Sequence, residues 1–261
     1  MAILEIKNGT MRFGGLVAVD SLDLEINEGE IVSLIGPNGA GKTTVFNMIT
    51  GVYEISGGEI IFDGKCISNM NPIQIVKSGI ARTFQNIRLF QKMRTIENAL
   101  VGAHIHGNYN LIDALLRTRK YKIQEEELQQ KAIDTLTEIG LGGHLHDYAS
   151  ELPYGLQRRL EIARAMMTGA KLLLLDEPAA GMNPQESEDL MLFIRGLVKK
   201  GYTILLIEHD MNVVMNVSDR IYVLDYGKRI AYGQPEEISG NAAVIKAYLG
   251  DASSIMEDEA V

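Results

Sequence analysis

Gly36-Pro37-Asn38-Gly39-Ala40-Gly41-Lys42-Thr43-Thr44 sets a lysine and two hydroxyls directly behind a glycine-rich stretch. The pattern is G-x-x-x-x-G-K-[ST], and its residue types explain its chemistry. Glycines let successive backbone N–H groups curl around a phosphate, and a helix starting there adds its positive end. Lys42 can then reach the β- and γ-phosphates of a nucleotide, and Thr43 can offer its hydroxyl to Mg²⁺. A nucleotide-held Mg²⁺ also needs a carboxylate or an oriented water. Leu172 to Leu175, followed by Asp176 and Glu177, supplies two acids at the end of an apolar run. In an open α/β sheet, ligands sit at the carboxyl ends of strands, so Asp176 should face the glycine loop. Glu177 should point elsewhere and is a candidate base for polarising a water.

Such groups need a rigid sheet behind them. Ile31 to Ile35, Leu172 to Leu175 and Thr203 to Ile207 are short, nearly continuous apolar runs, suited to central parallel strands covered on both faces. Leu22 to Ile26 alternates apolar and acidic residues, and Leu4 to Lys7 and Glu59 to Phe62 look similar, so these predict half-buried antiparallel strands. Asn27-Glu28-Gly29 punctuates them as a turn. From Arg88 to about Leu160 no strand signal appears. Leu128, Ala132, Leu136 and Ile139 repeat at helical spacing, with Glu125 to Glu127 expected in the first turn and Gly140 as the stop. The chain therefore reads as one α/β domain over 1–250. It has a parallel-sheet core, an N-terminal antiparallel β subdomain and a helical subdomain inserted at about 88–165. The tail, 251–261, is acidic and poor in large apolar groups, so fraying is expected.

The charge balance, 25 basic against 34 acidic residues, gives −9 and argues against nucleic acid as the main partner. Cys66 is the only cysteine, which excludes an intrachain disulfide. The start, MAILEIK, lacks a basic region followed by a long apolar stretch, so no signal peptide is expected. The apolar runs fall far short of the ~20 residues of a membrane helix. A soluble chain is expected, with any membrane role arising through a partner. His104/His106 and His144/His146 form His-x-His pairs with no cysteine nearby, and ordinary surface histidines are the default over a zinc site. Arg117 to Lys122 is a short basic run followed by acids, and reads as a solvated helix face. Met166, Met167, Met211 and Met215 have helical spacing and suit a core or docking surface. Between Asn86 and Gly102, apolar Ile87, Leu89, Phe90 and Met93 interleave with Arg88 and Arg94. That composition suits a docking groove for a partner helix, and a purely structural role stays open.

Together these pieces resemble the ATP-binding cassette (ABC) ATPases, P-loop NTPases, over nearly the whole chain from about Leu4 to Gly250. On that resemblance Gln85, in Arg82-Thr83-Phe84-Gln85, matches the family's glutamine loop, which contributes to Mg²⁺ and contacts the membrane partner. His209, in Ile207-Glu208-His209-Asp210, matches the switch histidine, which contacts the γ-phosphate. Phe13 stands where the family places an aromatic that stacks on adenine. Ala180-Gly181-Met182-Asn183 occupies the D-loop, where a terminal Asp is more usual. ELPYGLQRRL, Glu151 to Leu160, falls at the signature Leu-Ser-Gly-Gly-Gln. There Leu152 and Gly155 match, while Pro153, Tyr154 and Leu156 stand for Ser, Gly and Gln, with Gln157 next. Pro153 removes a hydroxyl and an N–H donor. Irregular backbone is expected across the Pro and Gly, with phosphate contact resting on Gly155 and a helix from Gln157 onward.

RTFQNIRLF, LPYG-QRRLEIARA, LDEPAAG-NP and LLIEHDM–VM–SDRIYVLDYG are similar to the ATP-binding subunits of branched-chain amino acid importers. This likeness implies ATP and Mg²⁺ as cofactors and hydrolysis to ADP and phosphate coupled to transport. It implies two cassettes sandwiching ATP, each chain's Leu152 to Gln157 capping the other's γ-phosphate. It further implies two permease subunits docking near Asn86 to Gly102, a solute-binding protein outside, and a place on the cytoplasmic face of the membrane. Rival readings are a soluble ABC ATPase working on DNA or ribosomes, or a related importer for urea or short amides. A P-loop kinase or GTPase would leave Gln85, the signature and His209 unexplained.

Overall fold

Strands β3 (Ile31–Ile35), β7 (Leu172–Asp176) and β8 (Thr203–Ile207) are buried at every residue, which requires cover on both faces. In the computed structural model, which describes residues 1–106 and 118–248, they form the centre of a six-stranded sheet. Its order is β10-β9-β3-β8-β7-β6, with β6 (Ile80–Arg82), β9 (Arg220–Asp225) and β10 (Lys228–Gly233). Five strands run parallel, and β10 returns antiparallel on β9. A second, antiparallel sheet has the order β2-β1-β4-β5, from β1 (Ala2–Phe13), β2 (Leu16–Asn27), β4 (Gly57–Phe62) and β5 (Lys65–Cys66).

The helices are α1 (Lys42–Ile49), α2 (Pro72–Ser78), α3 (Thr95–Ala103), α4 (Arg119–Glu138), α5 (Tyr154–Met167), α6 (Pro184–Val198), α7 (Met211–Val217) and α8 (Pro235–Ser239), followed by helical residues 242–248. The leucine run of β7 shows how one strand serves two cores. Leu173 and Leu175 point into a cluster with Leu136, Leu160 and Ile194 of the helices. Leu172 and Leu174 point the other way, onto Phe46 of α1 and Ile6 and Leu24 of the antiparallel sheet. Each such leucine contributes roughly 1.5–3 kcal/mol by leaving water. Between β6 and β7 the described residues form helices and turns and no strand. Among the described residues, no helix is long and apolar enough to cross a membrane. The 251–261 tail and Arg117 lie outside the described residues.

Two boundaries differ from expectation. Helix α4 starts at Arg119, capped by the Thr118 side chain, which accepts the Tyr121 N–H at 3.4 Å. Glu125 to Glu127 therefore fall in its second and third turns, because a capping hydroxyl sets the start and the first turns bury nothing that an apolar repeat would reveal. Helix α5 begins at Tyr154, three residues before Gln157, with Pro153 at the N-cap. First-turn N–H groups have no acceptor inside a helix, so proline at the cap forfeits nothing, and Pro153 and Gly155 do not interrupt the regular structure. Two elements have too little pattern for the sequence to reveal them. Strand β6 is three residues long, and the β9–β10 turn places Tyr226 and Gly227 at φ 44 and 78, the paired left-handed geometry of a tight hairpin.

Helices α3 and α5 pack tightly at Gly102, where a Cβ would lie 2.1 Å from the Arg164 carbonyl oxygen. Both elements are helix backbone, so a methyl group there must push them apart. Gly102→Ala is expected to lower unfolding free energy by about 1–3 kcal/mol in urea titration. Gly196→Ala, where a Cβ meets nothing within 4 Å, is the control and should be neutral or slightly stabilising. An unchanged midpoint for Gly102→Ala would mean that the two helices move freely.

Candidate functional site

Strand β3 delivers the chain to Gly36, and α1 starts at Lys42 with Gly41 as its N-cap. No side chain caps that helix, so the N–H groups of its first turn face outward. Gly41 has φ 103, and a Cβ on it would meet the Ala18 carbonyl oxygen at 2.7 Å, so only glycine fits. The Lys42 ammonium turns back and donates to the carbonyls of Gly36 at 2.6 Å and Pro37 at 2.8 Å. Burial pushes its pKa down, and the charges of Glu177 and Asp176 oppose that shift. The loop borders a cleft of about 360 Å³ shared with Leu16, Val17, Glu177, His209 and Tyr226.

Asp176 ends β7, and its Oδ2 accepts from Arg82 Nη2 at 2.6 Å. Arg82, at the end of β6, also donates to Asn47 Oδ1 of α1 at 2.6 Å and lies over the rings of Phe46 and Phe84. It thereby holds the acid against the phosphate-loop helix. Glu177 adopts φ 46, unusual for a residue with a side chain, and its N–H donates to the Ile207 carbonyl at 2.8 Å. That turn aims its carboxylate at two neighbours. Oε2 accepts from Gln85 Nε2 at 2.6 Å, and Oε1 hydrogen-bonds Nε2 of His209. The loops after β6, β7 and β8 thus bring Gln85, Glu177 and His209 into contact. Behind them, buried Glu208 accepts the Ala179 N–H at 2.8 Å, and burial pushes its carboxyl pKa up.

Other residues singled out by sequence lie apart. The Phe13 ring meets Tyr53 edge-on at 5.1 Å and does not line the cleft. Leu152 is buried, and Leu156 packs on the helical core. Tyr154 reaches toward the site through its hydroxyl, which donates to the Ala180 carbonyl at 3.0 Å. Gln157 bonds the Leu152 carbonyl. Asn183 caps α6: it accepts the Glu186 N–H at 2.9 Å and returns its own N–H to the Glu186 carboxylate. An Asn can cap as well as the Asp usual there. His144 pairs with Asp147 at 2.7 Å, and among the described residues no three His, Cys, Asp or Glu side chains gather to hold a metal.

Arg82, Asn98, Arg158, Glu161 and Glu208 carry much of the geometry, although the motifs that contain or flank them give these residues no role of their own. Asn98 is fully buried; it accepts the Phe90 N–H at 2.9 Å and donates to the carbonyls of Phe90, Met93 and Arg94, shaping that loop. The one available signal was composition, since a polar residue among the apolar positions of a core helix needs a partner. Thr43, Gln85 and Asp176 offer a hydroxyl, an amide oxygen and a carboxylate, an all-oxygen set of the kind Mg²⁺ prefers. Gln85 gives its amide N–H to Glu177, which leaves its amide oxygen for a cation.

Residues 19–180 match the family described as ABC transporter, and residues 228–253 match one described as branched-chain amino acid ATP-binding cassette transporter. The chain is 49% identical over 251 residues to the high-affinity branched-chain amino acid transport ATP-binding protein BraF of Pseudomonas aeruginosa. It is 50% identical to LivG of Salmonella typhimurium, and each alignment covers 96% of this chain and 98% of the relative. Among solved structures, an ATP-binding cassette of an ABC transporter in its ADP conformation superposes with a TM-score of 0.84 at 33% identity. The match covers 96% of this chain and 99% of that one. A nucleotide-free cassette gives 0.83 at 34%, covering 95% and 99%. With an uncapped helix behind a glycine loop, acids at the end of β7 in the same parallel sheet and these end-to-end likenesses, the chain belongs to the ABC transporter family as an ATP-binding cassette.

Proposed function

We propose that this cassette is the ATP-hydrolysing, energy-coupling subunit of an importer for branched-chain amino acids. The contact of Gln85, Glu177 and His209 beside the open end of α1 carries the chemical part. Lys42 exchanges its two loop carbonyls for the β- and γ-phosphates, and the backbone N–H groups from Gly39 to Thr44 take phosphate oxygens. Glu177, held from both sides by Gln85 and His209, takes the proton of the water that attacks the γ-phosphate. His209 hydrogen-bonds the departing phosphoryl oxygens. When bound, Mg²⁺ held by Thr43, Gln85 and Asp176 would neutralise phosphate charge. The products are ADP and phosphate.

The loop from Gly36 to Thr44 encloses one side of a phosphate, and the other side needs donors from elsewhere. Gly155 supports a donor supplied by a second cassette. Glycine inside a helix costs about 1 kcal/mol relative to alanine. Yet a Cβ at Gly155 would meet nothing within 4 Å. Packing within this chain gives no reason for glycine there, whereas close approach of a partner's phosphate does.

The solute rests on the relatives, whose names specify high-affinity branched-chain amino acid transport. Half-exposed Phe90, on the loop shaped by Asn98, suits a contact with two permease subunits near Asn86 to Gly102, which would hold the cassette at the cytoplasmic face of the membrane. A solute-binding protein outside would deliver the cargo.

Glu177→Gln keeps size and reach but removes the base. ATP binding is expected to persist while hydrolysis falls by about 10²–10⁴-fold; a wild-type rate would transfer the role to another group. Gly155→Asp is expected to leave nucleotide affinity and stability of the single chain unchanged, since the space is open and an acid suits a first helical turn. It should abolish ATP-driven pairing and hydrolysis, because it faces a carboxylate with a phosphate. Loss of affinity in the single chain would place the signature on its own nucleotide instead. Cells carrying the whole transporter should take up labelled leucine, and Lys42→Ala should stop that uptake. Uptake unaffected by Lys42→Ala would separate this chain from leucine transport.

A further inference from the structure

Arg158 lies in the second turn of α5, completely buried. Four of its five N–H donors have acceptors. Nη1 donates to the Phe84 carbonyl at 2.7 Å and to Glu161 Oε2 at 2.8 Å. Nη2 donates to the Gln85 carbonyl at 2.7 Å and to the Tyr154 hydroxyl at 3.3 Å. Only Nε is left without a partner. The other oxygen of Glu161 accepts the Arg88 N–H at 3.1 Å, so one ion pair fixes the backbone on both sides of the glutamine loop. The Tyr154 hydroxyl then continues to the Ala180 carbonyl at 3.0 Å, three residues past Glu177.

Taking a guanidinium and a carboxylate out of water costs several kcal/mol, which their mutual attraction only partly returns. Stability is therefore a weak reason to bury Arg158. Position is a better one. The guanidinium fork spans two successive carbonyls, a geometry that an ammonium cannot copy. The side chain anchored from those carbonyls is Gln85, whose amide holds Glu177.

We propose that Arg158 and Tyr154 are positioning residues for the hydrolytic site of their own chain. Arg158 sets the backbone from which Gln85 reaches Glu177, and the Tyr154 hydroxyl ties that guanidinium to the loop after Glu177. Both roles rest on Glu177 being the base. The first turn of α5 then has two tasks: its backbone serves the partner's phosphate, and its tyrosine serves its own chain's carboxylate. The state of one nucleotide site is thereby tied to how the other is capped.

Tyr154→Phe tests this directly. It removes one hydroxyl and keeps a half-exposed ring that already sits over Arg158 at 6.0 Å. The unfolding midpoint and KM for ATP should stay within about twofold, while kcat falls about three- to tenfold, the scale of one net hydrogen bond. Mixed pairs locate the effect. In one, the partner cassette has its phosphate-loop lysine changed to alanine, so only this chain's site turns over. In the other, this chain carries Lys42→Ala, so only the partner's site does. Tyr154→Phe should slow the first pair and not the second. Slowing of the second pair alone would put the hydroxyl on the partner's nucleotide, and slowing of neither would make it idle; each overturns the proposal. Hydrogen exchange on the isolated chain is a readout without turnover. Tyr154→Phe should speed exchange in residues 84–88 and 178–182 and nowhere else, and unchanged exchange there overturns the proposal as well. Arg158→Lys should repeat the kinetic pattern more strongly. If Glu177→Gln hydrolyses normally, the failure lies in the assignment of the base, whatever Tyr154→Phe does.

Discussion

A helix whose first turn has no capping side chain is an electrostatic deficit, and this molecule is arranged around one. The N-terminus of α1 presents backbone N–H groups and the positive end of a helix with nothing from the chain to answer them. A bound anion is the natural answer, and a phosphate chain supplies several. Around that end the fold adds one flexible cation, Lys42, and restrained acids on the far side, Asp176 and Glu177. The acids stay apart because each has its own partner, Arg82 for one and Gln85 with His209 for the other. Without those partners, two carboxylates adjacent in sequence at a strand end would compete for one lysine.

The two-sided core makes this possible. Alternate leucines of β7 belong to different clusters, so the strand end that carries the acids cannot rotate without breaking both. The same holds for β8, where Ile204 and Leu206 face the helices and Leu205 and Ile207 face α1 and the antiparallel sheet. Rigid strands ending in short loops are the right supports for groups that must sit within tenths of an ångström.

How far the sequence disclosed this depends on the range of the interaction. The glycine loop was legible because its residues are contiguous and their spacing follows from phosphate geometry. The acids after Leu172 to Leu175 were legible because an apolar run that ends in charge can end only at a sheet rim. Arg82 was not, since its value comes from Asp176, 94 residues away. Arg158 read as one more basic residue on a helix; nothing local distinguishes it from Arg159, which reaches toward the Ile139 carbonyl at 3.5 Å. Helix α5 starts earlier than Pro and Gly predict, because Pro153 at the N-cap is harmless and a single glycine weakens a first turn without ending it. Helix α4 starts earlier than the apolar repeat predicts, because its opening turns bury no side chain, exposed Ile123 included, so the Thr118 cap marks the start.

Strand β3 stands in the middle of the sheet, yet its neighbours are β8 and β9, so Val32 is paired with Leu205 on one side and Arg220 on the other. During synthesis this strand leaves the ribosome long before either neighbour exists. At 5–20 residues per second the wait is roughly 10–40 s. The glycine loop is incomplete for as long, because Ala40 gives its carbonyl to the N–H of Gly227, and Gly227 in turn accepts from Asp20. A nascent chain therefore carries the most recognisable stretch of its sequence without this support until Gly227 has been made. The brace of the glycine loop is thus among the last contacts the chain can make, and a product that stops short of Gly227 lacks the backbone hydrogen bond that steadies Ala40 in the folded protein.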